Sequence, residues 1–203
     1  MKIIPFYARG WESNSYLIVS DGQAALVDAG ISASRVQETL KKEGATLKYI
    51  LLTHGHFDHT LSADTLREAT DASLVIHGFD AEMLTDAEKS ALAFFMGRHD
   101  TVNPCEKTVS EGDVVEIGSD KIRVIHTPGH SKGSVCYLVG NTLFTGDTLF
   151  NGGYGRFDLY GGDFKVLCSS LKLLKTLDAD LDIMAGHGES TKLGEALDLL
   201  NFI

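Results

Sequence analysis

Apolar and polar positions along this chain alternate with two different periods, and the switches between them mark out its elements. Three strand-like runs come first, Lys2 to Tyr7, Ser15 to Val19 and Ala24 to Val27, the last two joined across Ser20-Asp21-Gly22, and they predict a β-meander. From Ser32 to Glu43 the period lengthens. Ala33, Val36 and Leu40 share a helical face, a serine stands at the start, and Gly44 is positioned to stop the helix. Tyr49 to Leu52 then reads as a strand, Leu61 to Ala69 as a helix and Leu74 to His77 as a strand. Thr85-Asp86-Ala87-Glu88 has capping-box spacing and predicts an amphipathic helix through Phe94 and Phe95. That stripe is either core or one wall of a cleft.

The second half repeats the change of period. Val114 to Ile117, Ile122 to Ile125, Ser134 to Val139 and Thr142 to Phe144 are β-branched or alternating, with Gly140-Asn141 as a hairpin turn. Two helices follow around a strand at Leu181 to Ala185. In Asp163 to Leu177 the residues Phe164, Leu167, Cys168, Leu171 and Leu174 fall at helical spacing, and in Thr191 to Leu200 so do Leu193, Ala196, Leu197 and Leu200. No convincing repeat, low-complexity segment or linker interrupts residues 1–203. A single α/β domain with sheets inside and helices outside is expected.

Composition narrows the partners. With 18 Lys+Arg against 28 Asp+Glu the net charge is −10, and no basic block is present, which argues against nucleic acid and anionic membrane surfaces. At 43% hydrophobic residues the chain can bury a large core. Cys105, Cys136 and Cys168 are odd in number and lack CxxC spacing, so reduced thiols are expected, Cys136 and Cys168 in the core. The N-terminal apolar runs are broken by Pro5, Arg9, Glu12 and Asn14, and no stretch reaches transmembrane length. The expected location is the cytoplasm.

The chemistry concentrates after the Tyr49 to Leu52 strand, in Thr53-His54-Gly55-His56-Phe57-Asp58-His59. At 8 His in 203 residues, three His and an Asp at these offsets arise by chance on the order of once per thousand such chains, so accident is disfavoured. In a partly extended loop alternate side chains project into one cleft. Imidazoles with carboxylates suit Zn²⁺ and other first-row divalent ions and are too nitrogen-rich for Mg²⁺ or Ca²⁺. Thr127-Pro128-Gly129-His130, Thr145-Gly146-Asp147 and Ala185-Gly186-His187-Gly188 each follow a strand with a sharp turn and a ligand-type residue. His54, His56, Asp58, His59, His130, Asp147 and His187 exceed what one tetrahedral zinc accepts, and fit two adjacent metals sharing a carboxylate. His77, His99 and His126 are read as lying outside this set; Pro128 and Gly129 prevent His126 and His130 from sharing a helix face.

Taken in order, Val27-Asp28-Ala29-Gly30, the THxHxDH segment, TPGHS, TGDTLF followed by GYGRFD, and the late GHG resemble the metallo-β-lactamase superfamily, in its glyoxalase II-like branch. The resemblance implies a four-layer αβ/βα sandwich with a metal cleft at one edge of the sheets. It implies His54, His56 and His130 at metal 1, Asp58, His59 and His187 at metal 2, Asp147 bridging, and Asp28 beneath the site supporting a ligand imidazole; Asp58 also takes a catalytic role. The cofactors implied are two divalent ions, zinc first, with iron or manganese as alternatives. The activity implied is hydrolysis of a thioester of the S-lactoylglutathione type by attack of a metal-bound hydroxide, on a small-molecule thioester or ester substrate.

Two departures bear on the substrate. Longer glyoxalase II enzymes carry a helical C-terminal extension that helps hold glutathione, whereas about 16 residues follow His187 here, enough for one helix. Those enzymes also tend to have Lys and Tyr where this chain has Arg156 and Asp158. Arg156 either grips a substrate carboxylate or pairs with Asp158, and Tyr154 either lines or covers the cleft. Alternative activities are a mononuclear iron persulfide dioxygenase using His54, His130 and Asp147, a lactonase, another ester hydrolase or a phosphodiesterase. A metal-binding domain without catalysis is the non-enzymatic alternative.

Overall fold

A computed structural model describes residues 1–200. Two six-stranded sheets lie face to face. The first runs, in spatial order, β1 (Lys2–Phe6), β2 (Ser15–Ser20), β3 (Gln23–Val27), β4 (Thr46–Leu51), β5 (Ser73–His77) and β6 (Lys107–Val109). The second holds β7 (Val114–Ile117), β8 (Asp120–His126), β9 (Val135–Val139), β10 (Thr142–Gly146), β11 (Asp182–Ala185) and β12 (Thr191–Lys192), again in chain order from one edge to the other. The pairs β3–β4, β4–β5, β5–β6 and β10–β11 are parallel and the remainder antiparallel.

The period-2 alternation of the strands builds three apolar layers. On β2 and β3, Leu17, Ala24 and Leu26 face the helices α1 (Ala33–Glu43) and α2 (Ala63–Thr70), meeting Val36, Leu40 and Leu66, while Tyr16, Ile18, Ala25 and Val27 turn to the other sheet. There they meet Ile122, Val124, Tyr137 and Phe144. The opposite side of the second sheet, with Ile125, Cys136, Leu143 and Ile183, is covered by Leu167, Leu171 and Leu174 of α4 (Phe164–Leu174) and Leu193, Ala196 and Leu197 of α5 (Leu193–Asp198). Each such aliphatic side chain contributes about 1.5–3 kcal/mol on burial. Helices of 11 residues are marginal alone, so this packing holds α1 and α4. The four-layer sandwich expected from the sequence is the observed fold.

Local signals decide the element ends. Gly44, at φ 62°, stops α1, its N–H reaching the Leu40 and Lys41 carbonyls. The Asp163 carboxylate caps α4 by accepting the Val166 N–H at 3.0 Å. Other expectations are corrected. Thr85 and Glu88 do not form a capping box: Asp86 Oδ1 accepts the N–H groups of Glu88 and Lys89, and the following chain makes turns until the short α3 (Leu92–Met96). Thr191 and Lys192 pair with β11 rather than opening a helix, and β6 forms from a segment with too little alternation to be read as a strand. Cys136 is buried, but Cys168 is only half-buried. No helix among the described residues is long and apolar enough to cross a membrane.

Candidate metal centre

The loops that leave the C-terminal ends of the strands meet at one edge of the sandwich. Beyond β4 the chain stays extended through His54 and His56 and then winds into a single 3₁₀ turn, Phe57–His59, which brings Asp58 and His59 back over the strand ends. The second sheet supplies His130 between β8 and β9, Asp147 after β10, and His187 after β11.

Six of these seven side chains meet in two groups, and the seventh lies between them. Nε2 of His130 lies 2.8 Å from Nδ1 of His56 and 3.1 Å from Nε2 of His54. Nε2 of His187 is 3.1 Å from Asp58 Oδ2, which lies 3.7 Å from Nε2 of His59. The two Asp147 oxygens span the groups: Oδ1 is 3.3 Å from His59 Nε2, and Oδ2 is 3.7 Å from His130 Nε2 and 3.6 Å from His187 Nε2. Within this seven-residue set His54, His56 and His130, and separately Asp58, His59 and His187, each bring their ligand atoms within 4.8 Å of one another. His54, His59 and Asp147 form a third such group, which joins the two sets that the resemblance implied.

The hydrogen-bond network assigns the ring proton of three of the histidines. His130 Nδ1–H donates to the Arg156 carbonyl at 2.6 Å, and His59 Nδ1–H donates to Asp28 Oδ2 at 2.8 Å. Thr53 has one hydroxyl proton, and it goes to Asp28 at 2.9 Å; its oxygen is left to accept the His54 Nδ1–H at 3.1 Å. Asp28 thereby orients His59 directly and His54 through Thr53, leaving both Nε2 lone pairs facing the cluster. It does so from a left-handed backbone position, φ 57°, that aspartate tolerates better than most residues.

Electrostatics favour neutral imidazoles in one half and charge separation in the other. Burial, then the neighbouring rings, pushes His54 well below its ordinary range, and burial with His130 brings His56 down to about 3. Burial also opposes a proton on His59, but Asp28, Asp58 and Asp147 outweigh it and raise this group well above the ordinary value. For Asp147 burial works upward, yet His59, His130 and His187 hold its carboxyl well below the usual range.

The residues fit a pair of metal ions. Nε2 of His59 and Oδ1 of Asp147 are buried without a hydrogen-bond partner. Such atoms cost stability unless something binds them. Three imidazole nitrogens aimed at one point have no protein partner to share, and ligands around a tetrahedral ion at 2.0–2.1 Å sit about 3.3 Å apart, close to the spacings here. Backbone crowds the cluster from two sides. A Cβ at Gly186 would lie 2.3 Å from Asp147 Oδ1, and one at Gly155 would lie 2.7 Å from His130 Nδ1.

A cleft of about 310 Å³ opens above this floor, walled by Trp11, Phe95, Phe150, Leu159 and Arg156. Phe95 therefore belongs to the wall, while Ala87 and Leu92 of the same segment pack on Phe57 and Phe94 is exposed. Arg156 pairs with Asp158, its Nε 2.7 Å from Asp158 Oδ1, and its guanidinium stands 5.2 Å from the Phe95 ring at the cleft mouth. Tyr154 does not line the cleft; its ring is 6.0 Å from Phe164 and packs on the core beneath α4, because the turn closed by the Phe150–Gly153 bridge directs it there. His77 and His126 stack face to face at 4.2 Å, apart from the cluster, and His99 is exposed.

Two buried polar residues were not singled out by the sequence. Asp80 accepts bonds from the loops that carry His54, His56 and His130. Asn14 Nδ2–H groups donate to the carbonyls of Ala185 and Gly188 on either side of His187. Neither sits in a ligand-like motif, and only the three-dimensional neighbours reveal them.

Known proteins share both the sequence pattern and the fold. The family described as the Metallo-beta-lactamase superfamily matches residues 8–187. Hydroxyacylglutathione hydrolase GloC of Haemophilus influenzae is 32% identical over 200 residues, spanning 96% of this chain and 93% of that protein. The structure of the B3 metallo-beta-lactamase BLEG-1 superposes with a TM-score of 0.90 at 32% identity, covering 97% of each chain. TTHA1623, solved in a di-iron-bound form, superposes with a TM-score of 0.87 at 32% identity, covering 98% of this chain and all of that one (100%).

Proposed function

This chain belongs to the metallo-beta-lactamase superfamily, and from that premise we propose that it is a dinuclear-metal hydrolase acting on a thioester of the S-lactoylglutathione type. The observation that carries the proposal is the second half of the cluster. Asp58, His59 and His187 are complete around Asp147, and a mononuclear centre built on His54, His130 and Asp147 gives them no role. The ligand set is five imidazoles and two carboxylates, suited to zinc and also to iron or manganese. The di-iron form of TTHA1623 supports a two-metal occupancy, and the similarity to GloC supports the thioester.

His54, His56 and His130 would hold one ion, Asp58, His59 and His187 the other, with Asp147 shared. When bound, the pair supplies Lewis acidity and lowers the pKa of a water from 15.7 to about 7. The protein's own groups do the remainder. Asp58, on the cleft floor with its side chain 19% exposed, would help hold an ion and orient the attacking water by accepting a hydrogen bond from it. The Arg156 guanidinium at the mouth offers two N–H groups to a carboxylate of the thiol portion, competing with Asp158 for them. Trp11, Phe95, Phe150 and Leu159 give the cleft an apolar wall above its polar floor, against which the non-reacting part of a substrate would pack.

The test is metal content of protein purified without chelator, with thioester hydrolysis on S-lactoylglutathione and oxygen uptake with glutathione persulfide. Close to two metals per chain with thioester turnover supports the proposal. One iron per chain with oxygen consumption overturns it in favour of a dioxygenase, and turnover confined to lactones or β-lactams moves the substrate within the hydrolase reading.

A further inference from the structure

Asp80 belongs to no ligand set, yet it is fully buried and every bond its carboxylate makes reaches a ligand-bearing loop. It sits in the 3₁₀ turn that follows β5, Gly78–Met83. Oδ2 accepts the N–H of Gly55, the residue between His54 and His56, at 3.1 Å. The same oxygen accepts the Ser131 hydroxyl at 2.5 Å, and Oδ1 accepts the N–H of Gly133 at 2.7 Å, both in the loop that presents His130. One carboxylate thus ties the first sheet's ligand loop to the second sheet's.

The backbone around it is shaped to this contact. A Cβ on Gly133 would lie 2.7 Å from Asp80 Cγ and 2.8 Å from its backbone nitrogen, and a Cβ on Gly55 would lie 2.7 Å from Met83 Cβ in the same turn. Both loops approach as closely as glycine allows. Histidine rings on loops need such anchoring, because ligand geometry is set by the groups behind the ligands as much as by the ligands.

We propose that Asp80 is a positioning residue for the three-histidine half of the centre, holding the His54–His56 loop and the His130 loop at the spacing one metal ion requires. The inference rests on the two-metal reading of the site. Asp80→Asn keeps the side chain's shape and removes one acceptor. Whichever way the amide turns, its NH₂ faces either the Gly55 N–H, so that the His54–His56 loop loses its bond, or the Gly133 N–H, so that the His130 loop is held by Ser131 alone.

The experiment is stepwise zinc titration of the apo-protein against a competing chelator, for wild type, D80N, H56A and H187A, with the visible spectrum of the cobalt-substituted proteins as a second readout. Expected for D80N is a fall of about ten- to hundredfold in the affinity of the site that H56A also impairs, with the site that H187A impairs unchanged within about threefold. The cobalt bands of the impaired site alone would shift. Equal weakening of both sites marks a general loss of structure and overturns the proposal, as do wild-type affinities in D80N. A wild-type protein that binds fewer than two metals refutes the two-metal reading itself, before any variant is compared. Should D80N not fold, Ser131→Ala removes one donor and leaves the carboxylate with both glycine N–H groups. A severalfold loss confined to the same site supports the proposal, and no loss overturns it.

Discussion

Asp28→Asn probes the support beneath the centre with little change of shape. Asparagine accepts the left-handed φ of 57° that residue 28 adopts, so the backbone need not move. Asp28 Oδ1 accepts the Thr53 N–H at 2.8 Å, and Oδ2 accepts His59 Nδ1–H at 2.8 Å. The amide that replaces this carboxylate keeps its oxygen toward Thr53, where the N–H and the hydroxyl both need an acceptor, and turns its NH₂ toward His59. Nδ1 of His59 must then accept, which moves the ring proton to Nε2, the atom facing the metal. A hydrogen bond to a charged group contributes about 1.5–3 kcal/mol, and at 1.4 kcal/mol per decade the affinity of the Asp58–His59–His187 site falls about 10- to 100-fold. His54 keeps its tautomer because the Thr53 hydroxyl still donates to residue 28. The assay is zinc titration against a chelator, read as two dissociation constants. Equal affinities in variant and wild type, or a loss confined to the three-histidine site, would refute the assignment of His59's proton to Asp28.

Four further outcomes are expected. Arg156→Leu should raise KM for a carboxylate-bearing thioester about two- to fivefold with kcat nearly unchanged, since the guanidinium is exposed and shared with Asp158; a loss in kcat alone would contradict its placement at the mouth. Leu171→Ala, fully buried under the second sheet, should cost about 2–5 kcal/mol in urea unfolding while leaving both metal affinities intact. Burial and the stacked His126 bring His77 down to about 4, so the unfolded chain binds a proton below pH 6.5 that the folded chain refuses. Stability should therefore fall as pH drops from about 6.5 to 4 and level off below, and His77→Phe should flatten that part of the Tm–pH curve measured on metal-free protein. Removing metal by dialysis against chelator should abolish thioester hydrolysis and lower Tm while the far-ultraviolet circular dichroism persists; loading at a hundred times Kd restores about 2.7 kcal/mol.

The parts of this molecule that could be read from sequence are those in which one residue type has one physical use. Tyr16 to Val19 and Val135 to Val139 were legible as strands because short β-branched and aromatic runs have one common use, and successive side chains of the folded strands then enter opposite layers. The seven ligand-type residues were legible because imidazoles and carboxylates beside glycine turns have few other uses at such density. The reading was weakest where residue types have several uses. Asp86, not Thr85, took the cap, and both are common in that role. Asp80 and Asn14 resemble any surface carboxylate or amide until the chain folds and brings together partners 51 and 171 residues distant. Tyr154 and Arg156 lie in a glycine-rich loop whose course the local sequence does not determine, and so one turned to the core and the other to the cleft mouth.

The arrangement of those long-range contacts explains how a cluster of seven polar side chains can stand ready at the edge of an apolar sandwich. The two sheets are joined beside the ligands by backbone and tyrosine bonds: Val135 N–H to the Thr53 carbonyl at 2.8 Å, Tyr137 hydroxyl to the Leu52 carbonyl at 2.9 Å, and Tyr16 hydroxyl to the Ala185 carbonyl at 2.7 Å. Each bond fastens the chain one or two residues before a ligand, His54 or His187, to the facing sheet. These bonds and the three apolar layers come from the chain itself, so the ligand loops are expected to keep their register when metal is removed, unlike those of a small zinc domain that is unfolded without its metal. A metal entering such a site finds its ligands already in place, and the protein does not spend binding energy ordering the chain. Nε2 of His59 and Oδ1 of Asp147 are buried with no hydrogen-bond partner from the chain, and in metal-free protein their desolvation would have to be offset by the stability of the sandwich.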